Sequence, residues 1–399
     1  MKTSSLIVAF RLFLISFSVL LFCLMHGCTT QPSHTAMKSS RQAKEPVDYV
    51  NPYMGNISHL LVPTFPTIHM PHSMLRVYPE REDFTGDVLK GLPIVVTSHR
   101  GSSAFNLSPF NGSREEETPI INYSYDNEKI TPYSYYVYLD EADISVNYTL
   151  SHQSAIYELS YGKDEDVAVV LNSRNGELNW NGTAVSGYQR LTKNTNVYLY
   201  LLPEQSPNNV SDKHASGRNA NLVMSWPKEN KKLIFRYGIS FIDEDQARKN
   251  LEREVLGKSF KEIESAGRQT WNNELSKIEV SGGNEDDIVL FYTSLYRCYE
   301  RPVSISEDGR YFSAFDGKVH DDFGRPFYTD DWIWDSYRAH HPLRILIDAE
   351  REEDILHSFL LMSEQMDNFW LPTFPEITGD SRRMNSNHGV ITLLDAHVK

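Results

Sequence analysis

The segment Ile144-Ser145-Val146-Asn147-Tyr148-Thr149-Leu150 alternates apolar and polar residues along its whole length. This period of two predicts a β-strand with one buried face and one exposed face. Similar short runs lie on both sides of it, and Asn175-Gly176, Asn181-Gly182 and Ser216-Gly217 indicate turns between them. We therefore predict an antiparallel β-sandwich over residues 47–242. Its predicted strands are 133–139, 144–150, 155–159, 167–171, 197–202, 222–226 and 233–241.

Downstream of residue 242 the pattern becomes helical. Apolar residues recur at spacings of three and four along 288–299, which predicts an amphipathic helix that ends at Arg301-Pro302. Further helices are predicted at 243–256, 260–278, 331–346 and 349–366, with a polar loop at 304–328 and Asp348 as a helix cap. We interpret 243–282 as linker helices and 283–399 as the first part of an all-α domain. Because the chain stops at Lys399 inside a last predicted helix, we expect this domain to be truncated.

The first 27 residues predict a signal peptide of the lipoprotein type. Lys2 and Arg11 precede an apolar run too short for a comfortable membrane span, and Gly27-Cys28 follows it. Cys28 would then carry the lipid, and residues 28–46 would form a tether. We expect an exported protein at the periplasm or cell surface, attached to the membrane through the lipid anchor only. The alternative is a plain secretory peptide with a chance cysteine.

Composition excludes several classes of function. The 399 residues carry a net charge of −14 without a basic stripe, so nucleic acid is not an expected partner. The sequence contains no HExxH, P-loop, GxGxxG or GxSxG motif, and His340-His341 point too far apart on a helix to chelate a metal. The 22 tyrosines fit either a β-rich core or a sugar-binding surface. Cys298 lies on an apolar helix face and is predicted to be a buried, inert thiol.

The block from Thr329 to Arg338 contains residues that packing alone does not require. On one continuous helix, Asp331, Asp335 and Arg338 would share a face, with Trp334 beside Arg338. An indole, a carboxylate and a guanidinium together suit a sugar, because the ring stacks on its C–H bonds while the ions bind hydroxyls. The alternative is an Asp–Arg pair that supports a helix, with both tryptophans of the block in the core.

Several ordered blocks resemble one enzyme family, from about residue 47 to the end. They are VNPYMG at 50–55, FYTSLY at 291–296, DGRY at 308–311 with DGK at 316–318, WDSYR at 334–338 with HP at 341–342, and WLP at 370–372. Together they resemble glycoside hydrolase family 92, the exo-acting α-mannosidases. The resemblance implies an N-terminal antiparallel β-sandwich followed by an (α/α)6 barrel, here incomplete.

The same resemblance implies an activity. It is the inverting, calcium-assisted hydrolysis of terminal α-mannose, of the α-1,2 type, from glycans. The catalytic base and the calcium ligands would lie beyond Lys399, with no metal ligand within this chain, so we expect the chain alone to be inactive. A non-catalytic, carbohydrate-binding surface lipoprotein with the same fold is the alternative, as is a purely structural module.

Carried over to this sequence, the resemblance also implies site residues. The substrate-binding residues would be Trp334, Asp335, Arg338, His388 and His69, with His72 close to the last. The family's acid, usually a glutamate, aligns with Asp380, and Glu376 is the fallback acid. Because Asp is one methylene shorter than Glu, either the pocket is rebuilt around Asp380, or Glu376 acts, or acid catalysis is weakened. The structural alternative for Asp380 is a loop N-cap before the next helix.

Overall fold

The structure is a computed structural model that describes residues 44–58, 63–82, 85–98, 101–112, 119–214, 216–366, 368–384 and 387–399. The predicted signal peptide, Cys28 and the tether as far as residue 43 lie outside these ranges. The end of the predicted tether belongs to the folded unit, because Glu45 forms an ion pair with Arg268 at 2.7 Å. Across the described ranges, no helix has both the length and the apolarity needed to cross a bilayer.

Antiparallel strands make up the first part of the described chain. They are β1 Ile68–His69, β2 Arg76–Val77, β3 Val88–Lys90, β4 Leu92–Pro93, β5 Phe105–Asn111, β6 Asn122–Ile130, β7 Ser134–Leu139, β8 Ile144–Leu150, β9 Ser154–Tyr161, β10 Val167–Trp180, β11 Val185–Arg190, β12 Asn196–Pro203, β13 Asn209–His214, β14 Ser216–Trp226 and β15 Lys232–Ser240. Strands β3 to β15 form a 13-stranded set in the order β13-β14-β10-β11-β12-β15-β9-β8-β7-β6-β3, and β5 pairs with both β10 and β4. The prediction of an antiparallel, sheet-rich N-terminal domain is confirmed.

The sheet core explains the many tyrosines. Strand β8 covers the predicted residues 144–150, and its alternate side chains are buried. Tyr148, Tyr157 and Tyr237 are fully buried, yet each hydroxyl has a partner. The hydroxyls of Tyr148 and Tyr237 lie 3.0 Å apart, and Tyr157 donates to the Pro93 carbonyl at 2.6 Å. A tyrosine with a satisfied hydroxyl adds a large apolar area to a core without leaving a polar group unpaired.

Strand β10 is longer than predicted, because the chain does not turn at Asn175-Gly176. Its pairing with β5 ends at Ser173, and its pairing with β11 begins at Gly176. Asn175 has a φ of +64°, and a Cβ on Gly176 would lie 1.8 Å from the Tyr188 carbonyl oxygen. The pair therefore marks the point where one edge of β10 changes partner from β5 to β11, while its pairing with β14 continues in register. The turn predicted at Asn181-Gly182 is confirmed by the hydrogen bond from the Asn181 N–H to the Ala184 carbonyl.

Seven α-helices follow in the described residues. They are α1 Glu244–Glu254, α2 Phe260–Leu275, α3 Glu285–Cys298, α4 Ile333–Ser336, α5 His340–Ile347, α6 Ala349–Gln365 and α7 His388–Val398. The side chains of Asp243, Ser259 and Asn284 cap the first three. The predicted linker helices are packed on the sheet: a Cβ on Gly238 of β15 would lie 2.3 Å from the Ala247 carbonyl oxygen of α1.

The single helix predicted over 331–346 is in fact two helices, α4 and α5. Pro342 provides the reason, since it lacks an N–H and its ring would clash with the Arg338 carbonyl in a continuous helix. The break at 337–339 places Pro342 in the first turn of α5, where the helix needs no N–H from it. The prediction that Asp331 and Arg338 share one helix face is therefore wrong.

Short strand pairs replace the polar loop predicted at 304–328. They are β16 Val303–Ser304 with β19 Tyr328–Thr329, and β17 Arg310–Ser313 with β18 Lys318–Asp321. A further hairpin joins β20 Pro375–Glu376 to β21 Gly379–Asp380. This hairpin contains Glu376 and Asp380, the two residues that the family resemblance implies as candidate acids.

Glu307 is completely buried where the sheet meets α1. Its carboxylate accepts hydrogen bonds from the Phe241 N–H at 2.9 Å and from the Asn250 side-chain amide at 2.7 Å. Burial outweighs these bonds and raises the pKa of Glu307 to about 7.

Glu307→Gln should therefore flatten the pH dependence of stability. The folded pKa of about 7 lies above the ordinary value of 4.5, so the folded state binds more protons between these values and stability falls as the pH rises through that window. Wild type should lose on the order of 3 kcal/mol across it. Urea unfolding at several pH values measures this loss, with Glu252→Gln on the exposed side of α1 as the control. An unchanged slope in Glu307→Gln would contradict the assignment.

Candidate functional site

A cavity of about 850 Å³ opens between the 63–65 loop of the sheet domain and the helical region. Its charged and aromatic lining residues are Phe65, Arg297, Glu300, Arg301, Asp331, Trp332, Asp335, His340, Phe374 and Arg383. A larger cavity of about 1120 Å³ lies around the β17–β18 hairpin and α6, but none of the predicted site residues lines it. The smaller cavity is therefore the candidate functional site.

Stacked side chains form one wall of the cavity. The Arg301 guanidinium lies 4.2 Å from the centre of the Trp332 ring, and Trp332 stacks on Phe374 with ring centres 5.6 Å apart. Arg383 lies 5.7 Å from the centre of the Phe374 ring. Cations over aromatic faces add roughly 0.5–2 kcal/mol each, so this stack stabilises the wall.

Arg301 belongs to a buried ion cluster that reaches into the sheet domain. Its Nε donates to Asp330 Oδ2 at 3.1 Å, and Arg76 of β2 pairs with the same oxygen. The side chains of Arg76 and Asp330 are only 2% and 1% exposed. Glu300 lies 3.2 Å from Arg301 at the cavity surface. Burial acts to raise the pKa of Glu300, but Arg301 and the other nearby basic groups together outweigh it and lower that pKa.

The predicted sugar cradle is only partly assembled. Asp335 lines the cavity together with Arg383, which follows Asp380 by three residues. Burial and the nearby Asp331 raise the pKa of Asp335. Trp334 is 45% exposed and Arg338 donates to the Tyr337 hydroxyl at 2.8 Å, and neither lines the cavity. The structure therefore brings one of the three residues to the site, and the exposed Trp334 also contradicts the alternative that both tryptophans are core residues.

The adjacent histidines of α5 have different surroundings. His341 is 1% exposed, and its Nδ1 lies 2.7 Å from Glu352, which agrees with the structural role predicted for it. His340 lies at the cavity, with its Nε2 2.5 Å from the Cys298 carbonyl oxygen. Burial and Arg344 lower the pKa of His340 to about 3, so it is neutral at physiological pH. Cys298 is half-buried at the same cavity rather than buried as predicted, and its partial burial raises the pKa of the thiol.

Asp380 supports the hairpin that contains it. Its Oδ1 accepts from the N–H groups of Phe374 at 2.9 Å and Arg382 at 3.1 Å, and its Oδ2 accepts from the Thr373 N–H at 3.1 Å. Both carboxylate oxygens of Asp380 are therefore bound to the backbone of its own hairpin. Asp380 thus stabilises its own hairpin and does not cap the next helix, α7, which begins at His388.

Glu376, the second candidate acid, has a raised pKa. It is 9% exposed, and burial raises its pKa against the charge of Arg383, which acts to lower it. Its Oε1 lies 3.1 Å from Arg383, which lines the cavity, although Glu376 itself does not. The two candidate acids therefore have different surroundings: burial raises the pKa of Glu376, whereas Asp380 accepts hydrogen bonds from the backbone.

The remaining predicted residues lie away from the cavity lining. His69 is 1% exposed and packs between Trp271 and Tyr296, so it cannot reach a substrate in this structure. Burial lowers its pKa to about 4. His72 is also buried, with its Nδ1 2.7 Å from the Pro302 carbonyl oxygen. His388 is half-buried at the start of α7 and lies against Tyr337, ring centres 4.1 Å apart.

Sequence reasoning missed the charged side chains that build the cavity wall, namely Glu300, Arg301, Asp330 and Arg76. The Arg301-Pro302 pair was interpreted only as a helix end. The partners Arg76 and Asp330 lie 254 positions apart, and no local pattern connects them. Among the described residues, no group of three or more His, Cys, Asp or Glu side chains is arranged to hold a metal ion.

Two family models match most of the chain. The N-terminal domain of glycosyl hydrolase family 92 matches residues 49–240, and the catalytic domain of the same family matches residues 246–399. The chain belongs to glycosyl hydrolase family 92. The cavity lies where the segments matched by these two models meet.

Solved family 92 structures share the fold. The inverting mannosidase BT2199 of Bacteroides thetaiotaomicron is 26% identical, with a TM-score of 0.79 over 90% of this chain and 53% of its own. The α-mannosidase BT3965 of the same organism, in complex with mannoimidazole, is 21% identical, with a TM-score of 0.80 over 89% of this chain and 54% of its own. This chain thus spans about half the length of these relatives.

A shorter match concerns an uncharacterized secreted glycosidase of Arthroderma benhamiae. It is 35% identical over 71 residues, which are 17% of this chain and 9% of that protein.

Asp380→Ala should destabilise the protein by roughly 1–3 kcal/mol, because three backbone N–H groups lose their acceptor. Asp380→Asn keeps one acceptor oxygen and should recover part of the loss. Thermal or urea unfolding measures both, with Asp321→Ala on the exposed side of β18 as the control. A fully stable Asp380→Ala protein would contradict the structural role.

Proposed function

We propose that this chain forms the sheet domain and the start of the helical domain of an inverting α-mannosidase. The observation that carries the proposal is the cavity between these domains, with Glu300, Arg301 and Asp335 at its surface. Carboxylates and guanidinium groups bind sugar hydroxyls through charge-assisted, often paired hydrogen bonds. The family 92 mannosidases that share the fold support terminal α-mannose of glycans as the substrate.

The two candidate acids are distinguished by their environments. An inverting glycosidase uses a protonated carboxyl on one side of the sugar and an ionised one on the other, about 6.5–9.5 Å apart. We assign the acid to Glu376 rather than Asp380, because burial raises the pKa of Glu376 while Asp380 accepts three backbone hydrogen bonds. Asp335 is assigned to substrate binding.

Calcium, the α-1,2 preference and an (α/α)6 barrel are finer proposals that rest on the family resemblance. The described residues offer no donor set that fits calcium, so no step is derived through the ion. We expect its ligands and the catalytic base among residues beyond Lys399. The 399-residue chain alone should then release no mannose from α-mannosides, and measurable release by the purified chain would contradict this expectation.

A non-catalytic carbohydrate-binding protein with the same fold would use the same cavity. It differs from an enzyme in having no need for a protonated carboxyl. The raised pKa of Glu376 and membership of a hydrolase family therefore favour the enzyme.

Export with a lipid on Cys28 is a separate proposal. The sequence of the first 28 residues supports both export and lipidation, and the name of the secreted Arthroderma relative supports export only. Labelled fatty acid should enter wild type and not Cys28→Ser, and equal labelling of both would contradict a lipid at this residue.

Titration with mannoimidazole tests the sugar site. We expect the purified chain to bind it and Asp335→Asn to weaken binding about tenfold or more, because the amide loses charge-assisted hydrogen bonds. Asp395→Asn on α7, outside the cavity, is the matched control. A wild-type chain that does not bind, or equal binding by Asp335→Asn, would contradict the proposed site.

A further inference from the structure

Three buried side chains lie behind the cavity lining and cluster around Asp331, which belongs to the lining. They are His341, Arg344 and Glu352, and none of the four is more than 3% exposed. The imidazole of His341 lies between the two carboxylates: its Nδ1 is 2.7 Å from Glu352 Oε1, and its Nε2 is 3.0 Å from Asp331 Oδ2. The second distance is an ion-pair contact rather than a well-directed hydrogen bond.

The cluster is electrically neutral only when His341 is protonated. Asp331 faces the ring from the segment before α4, Glu352 faces it from α6, and Arg344 and His340 come from its own helix α5. Arg344 pairs with Glu352 at 2.7 Å and lies 3.7 Å from Asp331. Burial and Arg344 act to lower the pKa of His341, but the charge and contacts of Asp331 together with Glu352 outweigh them and raise that pKa. An uncompensated charge at such depth is costly, so the proton on His341 keeps both carboxylates ionised.

Asp331 connects the cluster to the sugar site. Its Oδ1 accepts from the Ser336 hydroxyl at 2.8 Å, so the carboxylate spans α4 from its start to its end. Asp335 lies within this short helix and points to the cavity that Asp331 and Ser336 also line. A helix of four residues has little stability of its own, so side-chain contacts at its two ends set its position.

We propose that His341 and Glu352 are positioning residues, which hold Asp331 so that α4 presents Asp335 to the cavity. The expected effect on sugar binding rests on the proposed sugar site, whereas the positioning of α4 does not. Neither residue touches the cavity itself. Their effect on binding would therefore pass through Asp331 and the Ser336 hydroxyl.

The test measures the position of α4 separately from sugar binding. Histidine NMR in wild type should show His341 protonated at pH 7, and Glu352→Gln should lower its pKa. In His341→Gln, exchange of the Ser336 and Tyr337 amides, which bond to Trp332 and Ile333, should be about tenfold faster or more. Amides of β8 in the sheet core should keep their rates. His397→Gln on the exposed side of α7 is the matched control.

Mannoimidazole affinity is measured on the same proteins. We expect His341→Gln to weaken it about tenfold, and wild-type affinity to fall as His341 loses its proton at higher pH. A neutral His341 at pH 7, or unchanged α4 exchange in His341→Gln, would overturn the proposal. A His341→Gln protein whose α4 amides exchange faster but which binds mannoimidazole with wild-type affinity would also overturn the proposal. If wild type binds no mannoimidazole, the sugar site fails, and exchange and the His341 proton alone decide the positioning role.

Should His341→Gln not fold, Glu352→Gln replaces it in every measurement. This variant keeps the imidazole and removes only the charge behind it, so it should speed α4 exchange as well. If the α4 amides of Glu352→Gln exchange at the wild-type rate and the pKa of His341 is unchanged, this result alone overturns the proposal.

Discussion

One buried carboxylate, Asp330, joins the sheet domain to the helical region. The same oxygen serves Arg76 from β2 and Arg301 from the segment after α3. A charge removed from water costs several kcal/mol unless partners compensate for it, and two arginines that share one carboxylate depend on it together. Asp330 can direct its side chain to this position because its φ of +61° is one that Asp tolerates better than most residues.

The cavity wall depends on this ion cluster. Arg301, once held by Asp330, lies over Trp332, and Trp332 in turn stacks on Phe374 beside Arg383. The next residue in the chain, Asp331, has different partners and holds α4 in its position. These two neighbouring carboxylates therefore have different roles. Asp330 holds the sheet domain and the helical region together, and Asp331 holds the helix that contains Asp335.

Local patterns predicted the elements better than the site. The alternation at 144–150 predicts β8 with its bounds, and the apolar spacing of 288–299 predicts α3, because each pattern reflects burial of one face of one element. The turn predicted at Asn175-Gly176 was wrong, because the pairing of β10 with three neighbouring strands outweighed the local turn signal. Pro342 was a visible signal for the break between α4 and α5, and its effect was not taken into account.

The site residues were harder to predict, because their roles depend on contacts between distant segments. Alignment to the family placed an acid at Asp380, but only the folded hairpin reveals that its oxygens accept three backbone N–H groups. The family resemblance implied that His69 contacts substrate, yet the fold packs it against Trp271 of α2. Charge pairs such as Arg76 with Asp330 follow from the fold and cannot be inferred before it.

A double-mutant cycle between Arg76→Met and Asp330→Asn tests the central claim most directly. Asn tolerates the positive φ of position 330, so the change removes the charge without adding backbone strain. Urea unfolding should show a loss of about 3–5 kcal/mol for Asp330→Asn. The double variant should lose less than the sum of the single variants by more than about 1 kcal/mol. Single losses below about 1 kcal/mol that simply add would contradict a fold and a cavity organised around Asp330.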